Sequence, residues 1–194
     1  MKKSTRSFAS RHTWISRCDV QFFCCVVLAL SFVACRKADH LFSNLPARFK
    51  MENIYQAQAL YTACNSMGQF CTITTSGKDF IFKSLTRTDP VPITGNYVHE
   101  GFYLGLSGLI VGLPEIPEMG RDVSQVVCFD LACSNCYHDY SITKPLELQE
   151  NGMAHCKSCQ RTYNLNNVGR TDNGKPLIRY RVSLVGNTLI VANN

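Results

Sequence analysis

Four cysteines of this chain stand in two matched pairs, Cys133-Ser-Asn-Cys136 and Cys156-Lys-Ser-Cys159, with nineteen residues between Cys136 and Cys156. A Cys-x-x-Cys turn, or knuckle, aims two sulfurs and nearby backbone N–H groups at one point. Two knuckles facing each other complete a tetrahedral four-sulfur site, and the separation here is that of many zinc-ribbon sites. A bound divalent cation keeps such thiols ionised at neutral pH and sheltered from casual oxidation. Two other chemistries use the same residues. In an oxidising compartment four neighbouring cysteines pair as disulfides, and either pair alone is a redox dithiol. A dithiol needs only one such motif, and the flanks place neither pair at a strand-to-helix junction, so a metal centre is the expectation.

The elements that must position these sulfurs read mostly as strands. Phe70–Thr75 and Asp79–Leu85 flank the turn Ser76-Gly77-Lys78 and form a hairpin. Tyr55–Cys64 suits a short helix or a strand, while Pro90, Pro92 and Gly95 break the pattern and begin a loop toward His99. Gly101–Leu113 carries four glycines, yet it is too short for a bilayer and opens no helix as a phosphate loop would. It reads as two buried strands joined at Ser107-Gly108. Ile178, Tyr180, Val182 and Leu184 alternate with polar residues before Gly186-Asn187, which marks a closing hairpin over Leu177–Val191.

Charge and hydropathy divide the chain. Its formal charge is +6 over 194 residues, but residues 1–34 hold five Lys or Arg against one acid, leaving 15 bases and 13 acids elsewhere. That near-balance argues against nucleic acid as a partner. Lys2, Lys3, Arg6, Arg11 and Arg17 precede the apolar run Phe22–Ala34, as in a signal peptide. The run ends in Phe32-Val33-Ala34-Cys35, which resembles a bacterial lipobox with Phe32 where Leu is commoner. That resemblance implies a lipoprotein signal peptide over 1–34, a lipidated Cys35, a tether over 35–50 and a domain over 51–194. It also implies a cell-envelope protein anchored by lipid to the periplasmic or surface face of a bacterial membrane. No Arg-Arg pair precedes the apolar run, so export in the unfolded state is expected.

A second resemblance covers Phe70 to the C-terminus. Cys156-Lys-Ser-Cys159-Gln160-Arg-Thr-Tyr163-Asn164 resembles the second cluster-binding box of Rieske-type domains, C-x-x-H-G-x-x-F/Y-D. Phe129-Asp130-Leu-Ala-Cys133 resembles the strand entering the first box, and Pro176–Val191 resembles that family's closing hairpin. The family implies a mainly β fold: an antiparallel β-sandwich with a small two-loop metal-binding subdomain, here at about 129–165. Cysteine replaces both histidines of the family's boxes, and Gln160 replaces its glycine. An all-thiolate [2Fe-2S] cluster would lie near the low-potential ferredoxins and would lose the imidazole-coupled proton.

The expected metal ligands are therefore Cys133, Cys136, Cys156 and Cys159. In an alternative register Cys136-Tyr-His138 serves as C-x-H, with His138 a ligand and Cys133 spare. Zn2+ or a single Fe suits uptake after unfolded export, whereas the family implies a [2Fe-2S] cluster and a redox partner in the envelope. His155 reads as a loop residue or a donor to a ligand. Lys157 and Arg161 form either a cationic rim or a solvated face. Cys128 lies in an apolar strand as a buried thiol. Cys64 and Cys71 flank the turn Asn65–Gly68 and form either a disulfide or two buried thiols. No G-x-S-x-G, HExxH, P-loop or paired-carboxylate pattern occurs, so a non-catalytic module is expected.

Overall fold

Residues 41–116 and 125–193 are described by the computed structural model. The expected signal peptide, Cys35 and the first residues of the tether lie outside them. No helix among the described residues is long and apolar enough to cross a membrane.

Among the described residues the chain is mainly β, built as three antiparallel sheets. Strand β1 (Ala47–Met51) alternates strictly, with Ala47, Phe49 and Met51 inward and Arg48 and Lys50 outward. It pairs with β12 (Thr188–Asn193), which pairs in turn with β11 (Val182–Val185), so the first sheet has the order β1-β12-β11. The expected tether is corrected here. Backbone hydrogen bonds between Arg48 and Tyr103, and from the Asn193 side chain to the carbonyls of Ser43 and Leu45, fix the chain well before residue 51. The closing hairpin turns through Gly186-Asn187 as expected, Val185 facing Thr188 and Gly186 in the left-handed region at φ 57°.

The central sheet has six strands in the order β10-β6-β5-β2-β3-β4. Strands β2 (Gln69–Ser76) and β3 (Asp79–Lys83) form the expected hairpin, with Ser76 facing Asp79 across a two-residue turn. Outside β3 lies β4 (Thr88–Pro92), followed by a short helix, α2 (Gly95–Glu100), where a loop was expected. Pro90 and Pro92 are tolerated because β4 is an edge strand whose outer side needs no N–H donor. Before β2 comes helix α1 (Gln58–Asn65), which makes most of Tyr55–Cys64 helical after a 3-10 turn at Ile54–Gln56 and an extended Ala57, and buries Ala59, Leu60, Ala63 and Cys64.

On the other side of β2 run β5 (Leu109–Leu113), β6 (Val127–Asp130) and β10 (Arg179–Tyr180). Only β5 forms from Gly101–Leu113, not two strands. Gly101, Gly105 and Gly108 take positive φ and break the ladder, leaving Tyr103 in an isolated bridge to Arg48.

Both faces of the central sheet are covered, which explains the unbroken apolar runs of β5 and β6. One face carries Cys71, Ile73, Phe80, Phe82, Leu109 and Val111 against the first sheet and α1. Phe80 sits at the centre, with edge-on ring contacts to Phe49 at 5.3 Å, Tyr97 at 4.9 Å and Phe102 at 4.8 Å. Burial of each such ring contributes about 2–3 kcal/mol. The opposite face carries Phe70, Ile110, Val127 and Phe129 against the third sheet, which has the order β7-β8-β9 (Glu147–Gln149, Met153–His155, Thr162–Asn164). Helix α3 (Ser134–Tyr140) precedes that sheet. The large sheet is thus the platform on which the cysteine loops stand.

Candidate metal centre

The first knuckle opens directly from β6. Asp130 ends that strand as a buried acceptor hub, taking hydrogen bonds from Leu106 N at 2.6 Å, Ala132 N at 2.6 Å and Tyr180 Oη at 2.7 Å. Three residues later Cys133 caps α3 and its N–H donates to the Lys144 carbonyl at 2.8 Å, while Cys136 lies in the helix's first turn. This pair therefore does sit at a strand-to-helix junction, contrary to expectation. Short α3 could not be seen in the sequence because Ser134–Tyr140 is polar on most sides. The loop before β10 clamps α3: Ile178 N donates to Ser134 Oγ at 3.0 Å and Lys175 N donates to Asn135 Oδ1 at 3.2 Å.

The second knuckle links β8 to β9. Cys156 and Arg161 are tied by Cys156 N to Arg161 O at 2.9 Å, and Gln160 N returns to Cys156 O at 2.8 Å. Closing so tight a turn puts Gln160 at φ 59°, the left-handed region that favours glycine. The Gln160 amide offsets part of the strain by donating to the Lys157 carbonyl at 2.6 Å.

The knuckles converge. Cys133 Sγ lies 3.5 Å from Cys159 Sγ, Cys136 Sγ lies 3.7 Å from Cys156 Sγ, and all four sulfurs fall within 4.8 Å of one another. A tetrahedral ion with Zn–S bonds of about 2.3 Å has sulfur–sulfur edges of about 3.8 Å, so the donor set fits a single thiophilic cation. Cys133 and Cys156 are fully buried and Cys136 nearly so, whereas Cys159 is half-buried. Four protein donors would close the coordination sphere of a tetrahedral ion.

Electrostatics within the cluster are uneven. Burial, reinforced by the three other thiols, pushes Cys136 well above the ordinary thiol range. Burial also raises Cys156, against the N–H groups of Cys159 and Ser158 that point at its sulfur. At Cys159 burial is outweighed by the Arg161 N–H and by hydrogen bonds from the other thiols, which bring it down to about 7. Cys159 thus ionises readily, while Cys136 and Cys156 hold protons that a cation would displace.

Tyr163, on β9, has a part in the site that the sequence did not assign to it. Its ring is fully buried and its hydroxyl sits 3.2 Å from Cys133 Sγ while accepting from Asn135 Nδ2 at 2.6 Å and Asn135 N at 3.3 Å. With Asn135 supplying its protons, the hydroxyl hydrogen is left for the sulfur. The only signal for this in the sequence is the tyrosine's place four residues after Cys159; its partner Asn135 lies 28 residues away.

Several other expectations resolve. His138 is exposed on α3, its ring edge-on to Tyr137 at 5.7 Å, and it is not part of the sulfur cluster; the alternative register is corrected accordingly. The reason is helical geometry: a C-x-H pair two positions apart in a helix points to different sides. His155 lies on β8 with Nδ1 3.2 Å from Thr162 Oγ1 across the sheet. Lys157 and Arg161 meet Glu147 at 2.6 Å and Asp139 at 3.9 Å, a solvated face of paired charges. Cys64 and Cys71 are free buried thiols, so the disulfide alternative is corrected: Cys64 turns inward from α1 and Cys71 from β2, and burial raises Cys64 to about 12. Cys128 is a buried free thiol as expected. No protein-family profile, curated protein or solved structure matches this chain.

Proposed function

We propose that this chain is a lipid-anchored envelope protein whose non-catalytic domain is held together at one end by a single metal ion, Zn2+ or Fe, bound by Cys133, Cys136, Cys156 and Cys159. The observation that carries this reading is that all four sulfurs lie within 4.8 Å of one another. In a Rieske-type centre the two histidines share one iron and the two cysteines the other. By the resemblance, Cys133 and Cys156 would then share one iron and Cys136 and Cys159 the second. Two bridging sulfides would hold the pairs apart. Here Cys133 and Cys159 stand 3.5 Å apart and Cys136 and Cys156 3.7 Å apart, and that scheme assigns the members of each pair to different irons. Four sulfurs within 4.8 Å of one another suit one ion at the centre of a tetrahedron.

The Rieske resemblance supports the architecture. A sheet-on-sheet body carries a small three-stranded sheet, and the two loops that bear the boxes both end at that small sheet. The same resemblance, with the Tyr163 hydroxyl beside Cys133, favours a second reading in which a [2Fe-2S] cluster passes electrons to an envelope partner, since hydrogen bonds to ligand sulfur set cluster potentials.

Elemental analysis and an absorption spectrum of protein purified without affinity metals separate the two. One zinc per chain and no visible colour is the expected result. A brown sample with two irons and two sulfides per chain would replace the first reading by the second. Labelling with a radioactive fatty acid, lost in Cys35→Ala, tests the anchor.

A further inference from the structure

We propose that the four-sulfur centre doubles as an oxidation-driven lock: a peroxide joins Cys159 to Cys133 as a disulfide, expels the metal ion, and leaves the two knuckles covalently linked. The inference rests on the metal reading above and adds a regulated state to it.

Access singles out Cys159, and distance places Cys133 within its reach. Cys133, Cys136 and Cys156 are 0–4% exposed, whereas Cys159 is half-buried, so a small oxidant meets Cys159 first. The shelter expected for metal-bound thiolates is therefore incomplete at one corner. Once Cys159 is oxidised, the sulfur of Cys133 stands within reach of it, at 3.5 Å. A disulfide bond is about 2.05 Å, so each sulfur need move only about 0.7 Å.

The steps balance. The Cys159 thiolate attacks the O–O bond of hydrogen peroxide, giving a sulfenic acid, and the departing hydroxide takes up a proton to become water. A sulfenic sulfur is a poor ligand and leaves the ion. The Cys133 thiolate then attacks it, forming the S–S bond and expelling hydroxide, which a second proton converts to water. Two thiolates have lost two electrons in all, one peroxide has become two waters, and the cation is left with only Cys136 and Cys156. That is too few thiolates to hold it. The new bond joins residues 26 apart and ties the α3 junction to the β8–β9 turn, replacing the cross-link the ion had provided. An envelope protein meeting an oxidant would thus release its metal without letting the loops separate.

The test uses the full chain in detergent, with metal content measured before any oxidant. Hydrogen peroxide is added in steps, released ion is read with a chromophoric chelator, and cross-links are mapped by mass spectrometry without reduction. One ion should appear per Cys133–Cys159 disulfide, Cys64, Cys71 and Cys128 should stay reduced, and dithiothreitol with added Zn2+ should restore the starting state. A Cys156–Cys159 link, a sulfinic Cys159 without any cross-link, or ion release without a disulfide would each overturn the lock while leaving the metal reading intact. A chain that holds no metal at the outset sinks the metal reading, and the lock with it.

Discussion

Replacing Tyr163 by phenylalanine removes one oxygen and leaves the ring, so its effect isolates the three contacts that the hydroxyl makes. Two are hydrogen bonds accepted from Asn135, which is 3% exposed and has no water to turn to. Leaving buried donors unpaired costs about 1–3 kcal/mol. Deleting the third contact removes a hydrogen bond to the sulfur of Cys133. Such supports of metal ligands are worth about 10–100-fold in metal affinity. Tyr163→Phe should therefore lower stability by about 2 kcal/mol. For a domain of this size that moves Tm down by about 4–8 °C, and metal affinity should fall at least tenfold. Thermal melts with and without metal, and a competition titration with a chelator of known affinity, measure both. The loss should be larger in the metal-loaded protein, because a hydroxyl bonds a thiolate more strongly than a thiol. A variant as stable as the parent, or one with an equal loss in both states and unchanged affinity, would show that the hydroxyl does not support the ligand.

Metal affinity should fall steeply with acid: the folded metal-free site holds Cys136 and Cys156 protonated through neutral pH, and binding must displace both protons. Two displaced protons correspond to about a hundredfold in affinity per pH unit, weaker as pH falls; a pH-independent affinity between pH 6 and 8 would contradict it. Gly105→Ala should destabilise the fold by about 3 kcal/mol in denaturant titrations. Gly105 has φ 71°, and a Cβ there would collide with Asp130 Oδ2 and the Tyr180 hydroxyl, breaking the hub that ends β6. At position 160, glycine should keep full metal affinity by chelator competition, whereas valine should weaken it and cost about 2 kcal/mol. The difference arises because φ 59° is strained for a β-branched residue and free for glycine.

Much of this protein was legible because its signals are local. The spacing of Cys133, Cys136, Cys156 and Cys159 requires only that two short turns meet, and the structure brings all four sulfurs together. Alternating residues and two-residue turns set the β2–β3 and β11–β12 hairpins, since a strand's period and a turn's backbone preference act within a few residues. What failed was decided by distant partners. Pro90 and Pro92 look like strand breakers until β4 is found at a sheet edge, and Gly101–Leu113 looks like two strands until Gly105 is seen to turn beside Asp130 and Tyr180. Cys64 and Cys71 face the same core without bonding, which no spacing could decide.

The sequence by itself determined which atoms could bind a metal, because ligand identity is a property of side chains. Only the tertiary structure decided that the sulfurs of the two knuckles meet, which one reaches solvent, and that Tyr163 and Asn135 stand behind Cys133. Those relations join residues 20 to 30 positions apart, and a chain fixes such distances only once its sheets have packed.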